Sequence, residues 1–191
     1  KLLKNLKEKN NSIEIYNNDA LSLPIWKLGL GPREVIANLP YNISTKILIN
    51  LLKNASQFTK LTMMFQKEVA NRIIAKPGSK TYNRLSVITQ LKTKAKILFD
   101  IPDTAFFPKP KVKSSLVQFI PYESKKNDFD FDKMEELTRF VFSKKRKMLS
   151  TIFKKEGGSS FLNSINVDPN IRPENLTLEE FCKLEFALRK Y

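Results

Sequence analysis

Four consecutive residues, Asn38-Leu39-Pro40-Tyr41, combine a neutral polar side chain, a ring-stiffened backbone and an aromatic face. They follow the apolar run 35–37, which reads as a buried parallel strand, so they fall at a strand's carboxyl end. Open α/β sheets place their active sites there. A plain strand-ending turn accounts for Asn and Pro equally well, and the four residues alone leave both readings standing. The rest of the sequence narrows the chemistry. The 191 residues include no His, which excludes imidazole bases, His-containing metal sites and Ser-His-Asp or Cys-His constellations. Cys182 is the only cysteine, so there is neither an internal disulfide nor a cysteine-clustered zinc site, and no metal is expected. Five Gly nearly exclude a glycine-rich phosphate cradle. Gly29-Leu30-Gly31 is no substitute, having no strand before it and no third glycine after it.

The formal net charge is +15, from 34 Lys+Arg against 19 Asp+Glu. Such an excess suits a polyanion, either nucleic acid or an acidic membrane surface. A Lys-, Asn- and Ile-rich composition, as A+T-rich genomes produce, also inflates lysine without any ligand. No run approaches the roughly 18 apolar residues of a membrane span, and the first segment does not read as a signal peptide. The cytoplasm is the expected compartment.

The elements that must position the quartet follow from periodicity. Residues 1–9 read as the tail of a helix and 13–16 as a short strand, followed by the turn-like 17–19. A helical turn is expected over 23–28, broken by 29–32. From Ser44, as N-cap, the apolar positions 47, 48, 51 and 52 predict a helix. Strands over 61–65, 95–99 and 115–120 alternate with helices over 68–75 and 83–91, and Pro102, Pro108 and Pro110 stiffen the last loop. The pattern is an open α/β sheet with an antiparallel edge. Composition shifts after Pro121. Residues 123–130 read as a linker, and everything beyond as helix. Phe131, Met134, Leu137, Val141 and Phe142 form one stripe, and a capping box at Thr177 opens a helix with Leu178, Phe181, Cys182 and Leu188 inward. Residues 157–160 read as a simple turn. The expected division is 1–122 and 123–191.

Residues 38–45, Asn-Leu-Pro-Tyr-Asn-Ile-Ser-Thr, resemble the signature of the ribosomal RNA adenine dimethyltransferases, a family that includes the macrolide-resistance methylases. Residues 68–74 and 82–87 resemble its middle segment, and 106–114 match its F-x-P-x-P-x-V-x-S loop. Residues 142–147 and 172–177 resemble its helical C-terminal domain. The Asn38-Leu39 pairing and the stretch from Arg172 favour the small-subunit enzyme over the large-subunit resistance methylases.

The resemblance implies a Rossmann-like class I methyltransferase sheet with a small helical domain. It implies transfer of methyl groups from S-adenosylmethionine to N6 of adjacent adenosines near the 3′ end of small-subunit ribosomal RNA, in a pre-ribosomal particle. Asn38 and the Leu39 carbonyl would accept the two N–H bonds of the target amine. Pro40 would stiffen the turn, and Tyr41 and Phe106 would stack the extruded base, with Phe107 the alternative stacker. Asp19 matches the aspartate that binds the cofactor's adenine amine, although a turn cap explains it too, and Asn38 lies near the methionine end. Lys109, Lys111 and Lys113, with Lys144, Lys145, Arg146 and Lys147, would contact RNA; for Lys92, Lys94 and Lys96 a solvated face is preferred. The family's glycine-rich first loop and ribose-binding acid are not found, so the chain is expected to be an N-terminally truncated, monomeric and inactive fragment of the enzyme. A non-catalytic RNA-binding or assembly factor on the same fold is the alternative.

Overall fold

In the computed structural model, which describes residues 2–108, 110, 112–123 and 129–189, four strands form one sheet in the order β1-β2-β4-β3. They are β1 (Arg33–Ala37), β2 (Phe58–Gln66), β3 (Thr93–Ile101) and β4 (Ser114–Pro121). β1 and β2 are parallel, and β4 runs antiparallel to both β2 and β3. Only β4 runs against the others: β3, at the edge, is parallel to β1 and β2, so the expected antiparallel edge strand instead lies inside the sheet, between β2 and β3. Side chains alternate across each strand, so one face collects Val35 and Ala37, Leu61, Met63 and Phe65, Val117 and Phe119, Ala95 and Ile97.

That face is covered by helices. They are α2 (Tyr41–Lys53), α3 (Lys67–Ile73) and α4 (Arg84–Lys92), the last capped by the Asn83 side chain. Leu48, Leu51 and Leu52 of α2 and Val87 and Ile88 of α4 are fully buried. α4 also packs against α5 (Phe131–Ser143) and α8 (Leu178–Leu188). The helical segment therefore shares the sheet's hydrophobic core through Met134, Leu137, Val141, Phe181 and Leu184. Arg84–Glu135 and Lys53–Asp132 ion pairs cross the same junction. The helix α1 (Leu2–Lys9), α6 (Leu149–Ile152) and α7 (Gly158–Ser164) complete the eight α-helices among the described residues. The segment before β1 lies against the core through Ala20, Leu21, Ile25 and Trp26, with a 3₁₀ turn at Ile25–Lys27.

Several expectations are corrected. Residues 13–16 form no strand, because no neighbouring strand offers them a ladder among the described residues, and 14–16 are exposed. β1 is parallel but not buried on both sides: Ile36 is 85% exposed on the face without helices. Ser44 is not the N-cap of α2, which starts three residues earlier; its hydroxyl donates back to the Tyr41 carbonyl at 3.0 Å. Of residues 157–160, Gly157 alone makes the turn, at φ 111°, and Gly158 already opens α7. Lys92 is no solvated control, since its ammonium lies 5.6 Å and 5.8 Å from the Phe129 and Phe131 ring centres. Most of the expected linker, 124–128, lies outside the described residues.

Candidate active site

β1 ends at Ala37, and the chain must leave the sheet before α2 begins. Pro40 enforces the break. The residue before a proline is held out of the helical region, and Pro40 itself is extended at φ −55° and ψ 133°. Its carbonyl accepts the first helical bonds, from the amides of Ile43 and Ser44, both at 3.2 Å. Leu39 turns inward onto the core, while Asn38 and Pro40 are exposed. Neither the Asn38 side chain nor the Leu39 carbonyl has a hydrogen-bond partner among the described residues. Two adjacent acceptors stand open at a rigid corner.

The loop that carries Phe106 leaves from the same end of the sheet. Ala37 pairs with Met63, and β2 runs on to Gln66, which pairs with Ser114, the first residue of β4. Ser114 also pairs with Ile101, the last residue of β3. The segment after β3, which carries Phe106, therefore leaves from the edge at which the Asn38 corner sits. A direct tie joins that corner to the start of β4: the Tyr41 hydroxyl and Ser114 Oγ share a 2.6 Å hydrogen bond. Phe106 follows a 3₁₀ turn at Asp103–Ala105 and is half-buried, whereas Phe107 is wholly exposed.

The base of this loop is held by charge. Asp100 pairs with the Lys67 ammonium and accepts from Ser115 Oγ at 2.7 Å. The Lys67 contact, then the Ser115 bond, hold its carboxyl below the ordinary carboxylate range. The Lys67 amide donates to the Lys113 carbonyl at 2.9 Å. Neither Ser114 nor the Lys67–Asp100 pair carried a role in the sequence; a serine closing the F-x-P-x-P-x-V-x-S run was the available signal for the first.

The other candidates divide. Lys113 is exposed beside the loop, and Lys109 and Lys111 lie outside the described residues. Lys144, Lys145, Arg146 and Lys147 form an exposed turn after α5, with the Lys144 ammonium 4.1 Å from the Phe140 ring centre. Asp19 makes an Asx turn, accepting from the Leu21 amide at 2.9 Å, and no bond joins it to Asn38. Its turn meets α2 at Asn50, which donates to the Leu21 carbonyl at 3.5 Å. Nine residues of helix, ~13.5 Å of rise, separate Asn50 from Tyr41. No helix among the described residues is long and apolar enough to cross a membrane.

The described residues thus form a mixed α/β sheet with an acceptor corner at the carboxyl end of β1 and an aromatic-bearing segment leaving the same edge. Comparison with known proteins gives the family: the chain belongs to the ribosomal RNA adenine dimethylase family, whose profile matches residues 1–190. It is 40% identical over 172 residues to the ribosomal RNA small subunit methyltransferase A of Gluconobacter oxydans, covering 90% of this chain and 57% of the relative. It is 43% identical over 181 residues to the protein of that name from the Wolbachia of Drosophila simulans, covering 94% and 66%. A dimethyladenosine transferase from Plasmodium falciparum superposes with a TM-score of 0.78 at 28% identity, over 98% of this chain and 76% of that one. The 23S rRNA methyltransferase ErmE shares the fold, with a TM-score of 0.65 at 21% identity over 98% and 78%.

Proposed function

We propose that the protein containing this chain transfers methyl groups to N6 of adjacent adenosines near the 3′ end of small-subunit ribosomal RNA, within a pre-ribosomal particle. The open acceptor pair at Asn38 and Leu39 carries the reading. An adenine amine is a poor nucleophile because its lone pair is delocalised into the ring. When Asn38 Oδ1 and the Leu39 carbonyl accept both N–H bonds, the nitrogen is drawn toward sp³ geometry and its lone pair is freed. Tyr41 and Phe106 offer faces for the two sides of the base, each stack being worth ~1–3 kcal/mol. Positioning then does most of the catalysis, and no histidine is needed, since the amine becomes acidic as it is alkylated.

S-adenosylmethionine supplies the electrophilic methyl group when bound. The described residues do not by themselves make its cradle. Asp19 is exposed and gives one carboxylate oxygen to its own turn, leaving the other for the cofactor's adenine amine, whereas Gly29, at φ 60°, precedes a strand rather than joining a strand to a helix. We therefore assign to these residues the holding of the base, with the division 1–122 and 123–191 separating base pocket from RNA-docking helices. A monomer in the cytoplasm completes the reading. Identities of 40% and 43% to proteins named as small-subunit methyltransferases favour the small-subunit substrate.

The complete gene product, incubated with methyl-labelled S-adenosylmethionine and small-subunit RNA or particles, should yield N6,N6-dimethyladenosine on digestion. Label in large-subunit RNA instead would identify a resistance methylase. Tight RNA binding without label would identify the non-catalytic assembly factor that the net charge of +15 and the exposed 144–147 turn also suit.

A further inference from the structure

We infer that Ser114 is a positioning residue of the base pocket, acting through the Tyr41 ring; the inference rests on the proposed function in taking Tyr41 to face the target base. Ser114 is 0% exposed. Its backbone is fixed between two strands by pairing with Gln66 and Ile101. The residue after it, Ser115, bonds Asp100, which Lys67 pairs in turn. Tyr41 is different: it opens α2, is half-exposed, and its ring can swing about two side-chain torsions. The 2.6 Å bond to Ser114 selects one orientation of that ring. With Ser114 buried, water competes poorly for the bond, and breaking it strands a polar atom. The same bond joins the Asn38 corner to the start of β4, the strand that follows the Phe106 segment.

The test uses the complete gene product with Ser114→Ala, Tyr41→Phe and the double variant. Tyr41→Phe keeps the ring and removes only the tie. Single-turnover methylation should fall about tenfold in each single variant, and the double should be no worse than either. RNA affinity should stay within about twofold of wild type. Fluorescence from 2-aminopurine at the target position should show less base capture, and Ser114→Thr should restore both readouts. Additive losses, or losses that merely follow the melting temperature, would overturn the assignment. A ring-¹³C-tyrosine spectrum reads the positioning without any turnover. Tyr41 signals should average in Ser114→Ala, and signals identical to wild type would also overturn it. If the wild-type protein methylates no RNA, the proposed function fails, while the spectrum still decides whether Ser114 orients Tyr41.

Discussion

At the scale of single residues, Asn38 is the side chain whose loss should be felt in rate rather than binding. Its carboxamide is exposed and without a partner among the described residues, so Asn38→Ala should disturb no fold contact. Turnover of the complete protein should fall by far more than tenfold, with RNA affinity nearly unchanged. Retention of a tenth of the rate, a loss of only ~1.4 kcal/mol, would rule out amine positioning by this residue. Cys182 illustrates the opposite case, a reactive group kept quiet. Burial first, then the neighbouring Glu185 and Glu179, pushes its thiol up to about 11. Alkylation by iodoacetamide at pH 8 should therefore be roughly 100-fold slower in the native protein than in urea, because the thiolate is the reactive form. Equal rates would show that the thiol is not shielded.

At the scale of elements, α5 depends on a cap. The Asp130 carboxylate accepts from the amides of Asp132 at 2.9 Å and Lys133 at 3.0 Å. The Lys133 amide bond leads in holding its carboxyl below the ordinary value. A lowered folded value means that the stabilisation is present above about pH 4, the unfolded range, and is lost as pH falls through the folded value. Asp130→Ala should cost ~0.5–1 kcal/mol at pH 7 in a thermal melt, the low end for an exposed cap, and Asp130→Asn much less. The gap between wild type and Asp130→Ala should narrow as pH falls through the folded value. The apolar stripe of α5 was legible in the sequence because such periods are local, although Asp130 read as linker rather than as its cap. The Thr177 capping box and the β1 run were legible for the same reason. What else escaped depends on neighbours far along the chain. Residues 13–16 carry strand-forming side chains but lack a ladder, and Ile36 is apolar on an uncovered face. The order of the strands, with β4 between β2 and β3, is a product of pairing across some fifty residues that no local pattern encodes. The quartet at 38–41 was visible as a motif, yet its tie to Ser114 was not, for the same reason.

At the scale of the whole molecule, charge and cofactor can be separated. Neutralising Lys109, Lys111 and Lys113 should weaken binding to any RNA and flatten the log–log salt dependence by roughly 0.7–0.9 per lost contact. Neutralising Lys144, Lys145, Arg146 and Lys147 should matter less on a short RNA than on a ribosomal particle. Lys94 and Lys96, both exposed on β3, make the control, and equal losses from all three sets would mean that total charge alone counts. Titrating S-adenosylmethionine into the 191-residue chain should give no measurable heat; micromolar binding would show that Asp19 and Asn38 suffice. The segment before β1 has a spectroscopic consequence. Trp26 is the sole indole of the chain, and it rests half-buried against the core on the same segment as Asp19. Its emission therefore reports on this segment and not on the helices that dominate far-UV ellipticity. Because residues 14–19 are exposed and pair with no strand, the emission should shift to the red at a lower urea concentration than the ellipticity falls. Coincident transitions would instead show that the segment melts as one cooperative unit with the helices.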